Sequence, residues 1–263
     1  MTRAFCAALA LVAVAAPARA DMKMVQNTTT KGMGITGNGV STTYVKGNKM
    51  RSDMVMGDKT QTTIFDVDAQ KMYIFDSKKK EADVWDMADF AKQAGTTIEP
   101  EGMTASVTPN GKTKEVAGKS AAGYDMAISM PARMGGKDDG MKMTATLTGP
   151  VWIVKGAPGT ADYMRFYKAA AEKGFIFSDP RAAKGSPGQA RAMSKMYEEF
   201  AATGGVPYEM EMNIKMGGEG PMAGLMARMG GINMVNTVTA IDTAPIDDAM
   251  FAPPAGYKLS PKK

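Results

Sequence analysis

The sequence predicts one α+β domain built mainly from antiparallel β-strands, and three observations support this fold class. Runs of β-prone residues between Val40 and Asp76 are separated by turn residues, which favours antiparallel hairpins. Residues Tyr208–Met216 alternate between apolar and polar side chains, as expected for a strand with one buried face. Two later segments, Thr160–Glu172 and Gln189–Ala202, carry apolar residues at helical spacing.

The first half of the chain is expected to form a β-meander that ends in a short helix. Glycine, asparagine and aspartate separate four predicted strands, which are Val40–Lys46, Lys49–Met56, Thr60–Val67 and Lys71–Asp76. Asp83 is a candidate N-cap for a helix that extends to about Ala94, because the apolar residues between them recur at helical spacing.

The second half is expected to extend the sheet and to add two helices. The predicted strands, besides Tyr208–Met216, are Met103–Thr108, Lys112–Ala117, Tyr124–Met130, Met141–Val154 and Ile232–Asp242. Each helix has an apolar stripe, formed by Tyr163, Phe166, Tyr167 and Ala170 in the first and by Met193, Met196, Tyr197 and Phe200 in the second. These stripes predict that both helices pack on the sheet.

The first twenty residues have the pattern of a secretory signal peptide. Arg3 supplies a positive charge, an apolar run follows it, and Ala18-Arg19-Ala20 matches a cleavage site. We therefore expect cleavage near Ala20, a single mature domain over residues 21–263, and a location in the periplasm or outside the cell. No later segment has the roughly 20 apolar residues of a membrane-spanning helix, so no transmembrane anchor is expected.

The chain contains no histidine, and its single cysteine, Cys6, lies in the predicted signal peptide. Histidine is the usual general base near neutral pH and the commonest metal ligand. Ser77 and Lys80 fit a Ser-x-x-Lys pattern but lack its companion motifs. We therefore expect a non-enzymatic protein with no cofactor and no assigned metal ligand. A hydrolase that uses paired carboxylates stays open, because such pairing is not visible in a sequence.

The charge pattern gives little sign of a nucleic-acid partner. The full chain carries 32 basic and 27 acidic residues, a net charge of +5. Basic residues are scattered among acidic ones, apart from the runs Lys78–Lys80 and Lys262–Lys263. Nucleic-acid surfaces normally show clustered lysine and arginine, so no nucleic-acid partner is expected.

Methionine is the most unusual feature of the composition, with 26 residues. Met-x-Met pairs, whose members share one face of a strand, occur at Met22/Met24, Met54/Met56, Met141/Met143 and Met210/Met212. The plainest interpretation is core filling, because methionine packs irregular gaps. Three functional alternatives stay open: a cavity for lipid-like ligands, a Cu(I) site built from thioethers, and the scavenging of oxidants.

The cavity hypothesis has specific candidate residues. The candidate ligand-binding side chains are Met50, Met54, Met56, Met210, Met212, Ile214 and Met216. Flexible side chains suit an acyl chain, of which each buried methylene contributes about 0.8 kcal/mol. Glycine- and methionine-rich loops at 130–143 and 217–231 are candidate lids over such a cavity.

Short motifs along the chain resemble a known family. They are Tyr44–Arg51, Ile64–Asp68, Lys71–Phe75, Val116–Gly118, Gly149–Ile153 and Phe251–Pro253. In these motifs the chain is similar to bacterial envelope proteins that carry domain of unknown function 4412. That family resembles the LolA/LolB-like lipoprotein carriers, whose fold is an incomplete antiparallel β-barrel with helices plugging an apolar cavity.

The resemblance implies a half-barrel with about three helices packed on its concave side, and it brings no catalytic residues. The function it favours is a periplasmic binding or carrier protein for lipid-like or other apolar ligands. Cu(I) binding, oxidant scavenging and a purely structural or interaction role are the alternatives.

Overall fold

The computed structural model describes residues 21–32, 35–97, 104–134, 141–173, 175, 180, 187–218, 224, 228 and 230–262. The strands are β1 (Met22–Gly32), β2 (Ile35–Lys46), β3 (Lys49–Met56), β4 (Lys59–Asp66), β5 (Lys71–Asp76), β6 (Glu81–Asp86), β7 (Thr104–Val116), β8 (Lys119–Met134), β9 (Met141–Lys155), β10 (Gly205–Gly218), β11 (Ile232–Asp242) and β12 (Lys258–Lys262). The helices are α1 (Met87–Thr97), α2 (Thr160–Glu172), α3 (Pro187–Ala202) and a 3-10 helix at Asp248–Phe251. The predicted signal peptide, residues 1–20, lies outside the described residues. The candidate lid at 130–143 is wrong in part, because residues 130–134 and 141–143 belong to β8 and β9, and residues 135–140 lie outside the described residues. Most of the candidate lid at 217–231 also lies outside them.

All twelve strands belong to one open sheet. Their order is β12-β6-β5-β4-β3-β2-β1-β11-β10-β9-β8-β7. Neighbouring strands run antiparallel except β12 and β6, which are parallel. The α+β class and the mostly antiparallel sheet are therefore confirmed, and an open sheet of this kind is consistent with an incomplete barrel.

Glycines make two of the tight turns in the predicted meander. Gly47, with φ of 58°, lies in the turn from β2 to β3, and Gly57, with φ of 59°, lies in the turn from β3 to β4. Glycine adopts this left-handed backbone conformation without steric cost. As a result β3 pairs in regular register with both neighbours.

Side-chain alternation divides the sheet into two faces. Met50 of β3 lies on the helix-covered face, where its Sδ accepts a hydrogen bond from the Tyr167 hydroxyl of α2 at 3.8 Å. Arg51, the next residue, lies on the opposite face, where its guanidinium donates to the Met250 carbonyl at 3.2 Å. Because successive residues of a strand point to opposite faces, these two contacts orient the whole of β3.

Two buried clusters fill the helix-covered face. In the first, Phe166 and Tyr167 of α2 pack on β1, β2, β3, β5 and β6. In the second, Met196 and Phe200 of α3 pack on β8, β9 and β10. Tyr197 of α3 packs against both clusters. The predicted apolar stripes therefore do pack on the sheet, although the side chain of Met193 lies outside the described residues.

The C-terminal segment, residues 243–262, covers part of the opposite face. Tyr257 packs edge-on against Phe75, with ring centroids 5.6 Å apart, over a small buried cluster. Lys46 Nζ lies 2.9 Å from the Asp248 carboxylate and ties the 3-10 helix to β2. The segment then ends in β12, which pairs with β6.

The predicted helix start at Asp83 is wrong. Residue 83 lies within β6, where it pairs with Ile74 of β5. The helix begins at Met87 instead, and Asp86 Oδ1 accepts a hydrogen bond from the Asp89 backbone N–H at 3.0 Å. Apolar spacing favoured a helix from Asp83, but the pairing of β5 with β6 extends the strand to Asp86.

Three further strands differ from expectation. Strands β1 and β12 were not predicted, because polar residues hide the alternation of β1 and because Pro261 and two lysines are unusual in so short a strand. Strand β7 was expected as two separate strands. It is continuous, with a register shift between Pro109 and Thr113 at the point where the sequence suggested a turn.

Candidate ligand-binding surface

The register of the sheet brings all seven candidate residues to the helix-covered face. Met54 and Met56 are four and six residues beyond Met50 on β3, so they share its face. The other four alternate along β10, from Met210 to Met216, and Met212 packs against α3. The alternation read from the sequence therefore identified one face of the sheet.

Two of the seven side chains belong to packed core. Met50 is 6% exposed and accepts the hydrogen bond from Tyr167 described above. Met212 is 8% exposed and lies in the same cluster as Met196 and Phe200 of α3. At these two positions the space above the sheet is occupied by helices.

The other five side chains are accessible. Met54 is 38% exposed and Met56 is 55% exposed. On β10, Met210, Ile214 and Met216 are half-buried. The accessible part of the surface therefore lies toward the β3–β4 turn, away from α2.

One cross-strand row joins the two groups of methionines. Met56 of β3 pairs with Gly39 of β2, which pairs with Thr28 of β1. Thr28 pairs with Asn236 of β11, which pairs with Met210 of β10. We call these five residues the site row. It crosses four strand spacings, or about 19 Å along the sheet.

The centre of the site row is polar and lacks bulky side chains. The Thr28 hydroxyl donates to Asn236 Oδ1 at 2.6 Å. Gly39 sits beside them without a side chain, and a Cβ at this position would lie 2.8 Å from the Val55 carbonyl oxygen. The row therefore has thioethers at both ends and hydrogen-bonding groups in the middle. Sequence reasoning missed this centre, although the alternating glycines of Gly37-Asn38-Gly39 were a signal for it.

A shallow cleft lies on the opposite face of the same strands. It has a volume of about 460 Å³, and its lining comprises Asn27, Thr28, Thr29, Asn38, Gly39, Val40, Val55 and Gly57. No methionine contributes to it. The cleft therefore does not coincide with the seven candidate residues.

Three buried tyrosines support the surface from the helix layer. Burial raises the pKa of Tyr197 to about 12. Burial also raises the pKa values of Tyr163 and Tyr167 well above the usual value for tyrosine. The nearby tyrosines add to the shift of Tyr167, whereas for Tyr163 the charge of Tyr197 adds to the shift and a hydrogen bond with Tyr167 opposes it. All three hydroxyls are therefore neutral at physiological pH.

Two further properties bear on the chemistry of the surface. Within the part of the chain that the structure describes, no three histidine, cysteine, aspartate or glutamate side chains come together as a metal site. None of the helices in the described ranges is long and apolar enough to cross a membrane.

Comparison with known proteins gives low similarities. No protein-family model matches the chain, and no curated protein matches it. The chain is similar to the Pseudomonas aeruginosa MucA/MucB complex structure, at 10% identity and a TM-score of 0.32 over 88% of this chain, and it spans 56% of the matched chain. It is also similar to a structure of MucB in complex with MucA(peri), at 10% identity and a TM-score of 0.21, covering 85% of this chain and 94% of that one. The resemblance to domain of unknown function 4412 stays a prediction.

Proposed function

We propose that this chain is an exported, non-catalytic binding or carrier protein for lipid-like or other apolar ligands. The ligand lies along the site row on the helix-covered face. Its apolar part contacts the accessible side chains at the two ends, which are Met54, Met56, Met210, Ile214 and Met216.

The observation that carries this proposal is the exposure of Met54 and Met56 on the helix-covered face of the sheet. Two neighbouring methionines on one strand face leave unbranched apolar surface in water. Complete burial of such a side chain contributes about 1.5–3 kcal/mol. Because Met54 is 38% and Met56 is 55% exposed, their exposed surface together equals about one such side chain, so a ligand that covers both would gain about 1.5–3 kcal/mol before any polar contact is made.

The centre of the row suits a ligand with a polar group between apolar parts. Asn236 carries two amide N–H donors besides the oxygen that Thr28 already uses. Gly39 carries no side chain, and Met56 Cγ lies 3.0 Å from the position a Cβ would take, so the methionine at the end of the row reaches its centre. An acyl chain with an ester or amide group fits this pattern better than a pure hydrocarbon, because a buried amide needs a hydrogen-bond partner.

We also propose a particular shape for the sheet. The sheet curves around α2 and α3 as an incomplete barrel of the LolA/LolB-like kind, and the site row lies in its open part. The mature protein begins after Ala20 and acts in the periplasm or outside the cell. The absence of histidine and of mature cysteine supports a binding role over a catalytic one.

Displacement of a fluorescent fatty acid from the purified mature protein tests the proposal. Substituting both Met54→Gln and Met56→Gln keeps the side-chain size but removes apolar surface, so we expect at least a tenfold loss of affinity. Val55→Thr is the matched control, because Val55 lies between them on the opposite face. It should change affinity less than twofold.

Native mass spectrometry of the gently purified protein is the second readout. We expect a bound lipid-like mass that decreases in the double glutamine variant. Failure to bind the fluorescent fatty acid together with no co-purifying lipid would overturn the proposal. Equal losses in the Val55→Thr control and the double variant would place the ligand elsewhere.

A further inference from the structure

A dense group of thioethers lies one row beyond the site row. Met212 of β10 and Met234 of β11 are direct cross-strand partners. Cross-strand partners have Cβ atoms about 4.5–5.5 Å apart, which lets two flexible side chains converge. Met210 lies two residues before Met212 on the same face, diagonal to Met234.

Two more methionines belong to the same buried cluster as Met212. Met126 of β8 pairs with Gly149 of β9, the next strand toward β10. Gly149 has no side chain, and a Cβ there would lie 2.0 Å from the Glu211 carbonyl oxygen of β10. Met126, Met196 of α3 and Met212 belong to one buried cluster, against which Met210 and Met234 pack.

We propose that Met126, Met196, Met212 and Met234 form a binding site for a soft monovalent cation, Cu(I) or its analogue Ag(I), with Met210 at its entrance. Thioethers are soft ligands that select Cu(I) over hard cations. Met210 and Met234 are half-buried, so an ion reaches the cluster from the accessible surface. With no histidine in the chain and no mature cysteine, thioethers are its soft ligands.

This site shares Met210 with the proposed lipid-like ligand, but the two kinds of binding depend on different chemistry. Lipid binding depends on apolar surface, whereas metal binding depends on sulfur. Replacing methionine by leucine keeps volume and apolarity and removes the sulfur, and such swaps usually cost less than about 1.5 kcal/mol. Leucine variants therefore separate the two functions.

The test is titration of the mature protein with Ag(I), followed by NMR of methionine labelled at its methyl group. One equivalent should shift the methyl signals of Met126, Met196, Met212 and Met234. Buried methionines of the other cluster, such as Met22 and Met72, should not shift. Competition with a Cu(I) chelator supplies the affinity for copper.

The double variant Met212→Leu, Met234→Leu should bind Ag(I) at least tenfold more weakly, while fatty-acid displacement stays within twofold. Met72→Leu, which lies in the other buried cluster, is the matched control and should leave Ag(I) affinity unchanged. If the double variant unfolds, Met234→Leu alone at its half-buried position provides the same comparison. No Ag(I) binding, undiminished binding by the leucine variants, or shifts confined to exposed Met54 and Met56 would overturn the proposal.

Discussion

The ring of Tyr167 on α2 stacks on the ring of Tyr197 on α3, with centroids 4.7 Å apart and planes inclined by 15°. Tyr167 belongs to the buried cluster under α2, and Tyr197 packs against that cluster and the one under α3. The stacked pair therefore joins the two halves of the apolar core and holds both helices against the sheet.

Truncation of Tyr197 should separate these two clusters. We expect Tyr197→Ala to lower the free energy of unfolding by at most about 3–5 kcal/mol, because a large, partly buried aromatic side chain is removed from between the two clusters. Tyr197→Phe keeps the stacked ring and should cost about 1 kcal/mol. Urea denaturation followed by circular dichroism measures both, and equal losses would show that the stacking contributes little.

The three buried tyrosines predict a loss of stability in alkali. Burial raises the pKa of Tyr197 to about 12, and the pKa values of Tyr163 and Tyr167 are raised further. The unfolded chain releases these protons near pH 10, before the folded protein does. The contribution of these tyrosines to the free energy of unfolding should therefore be constant below about pH 10 and decrease as the pH rises above it. Denaturation at several pH values checks this, and Tyr197→Phe should reduce the slope.

Methionine oxidation should follow exposure. We expect mild peroxide to oxidise Met56 and Met54 first and to leave Met22, Met72 and Met87 unmodified while the protein is folded, because the latter are buried. Peptide mass spectrometry at increasing oxidant measures the order. Equal rates at all methionines would contradict the described burial. Retained fatty-acid binding after oxidation of Met56 would contradict the proposed ligand site.

Gly37 and Gly39 of β2 provide a matched pair at the site row. A Cβ on Gly39 would lie 2.8 Å from the Val55 carbonyl oxygen, whereas a Cβ on Gly37 has no neighbour within 4 Å. We expect Gly39→Ala to cost about 1–3 kcal/mol through the displaced backbone. Gly37→Ala should be neutral or stabilise by about 0.4–1 kcal/mol, since it restricts the unfolded chain. Thermal unfolding measures the stability of both variants. Equal changes in stability would contradict the close approach of Gly39 to the Val55 carbonyl oxygen.

The C-terminal segment should be needed to shield the opposite face. Tyr257 covers the buried residues Ile64, Phe75 and Ala82. Tyr257→Ala should lower the free energy of unfolding by at least the ~0.5–1.5 kcal/mol of the aromatic pair, and it should increase binding of a hydrophobic dye. Leu259→Ala, at an exposed position of β12, is the control and should have little effect on dye binding.

Local pattern predicted the meander and the two main helices well. Helix α2 has the bounds that its apolar spacing indicated, and β11 does as well. Such segments carry their periodicity within a dozen residues, so it can be read without knowing their neighbours. The start of α1 was misplaced because β6 depends on pairing with β5 along its whole length, and apolar spacing does not reveal a partner strand.

The candidate site, too, was predicted only in part from the sequence. Strand alternation correctly assigned Met50, Met54 and Met56 to one face, but it could not distinguish Met50, which lies under Tyr167, from Met56, which is 55% exposed. That difference depends on where α2 crosses the sheet. The same limit hid the site row, since Gly39, Thr28 and Asn236 are far apart in the chain and meet only through strand pairing.

By itself the sequence determined the α+β class, the strand and helix faces, and the exclusion of histidine chemistry, because each follows from residue type and local periodicity. Tertiary structure decided which methionines are buried, which are accessible, and which thioethers are neighbours. The physical reason is that burial and cross-strand distance are properties of pairs of segments, and in a sheet whose β1 pairs with β11 the two members of a pair are separated by about two hundred residues.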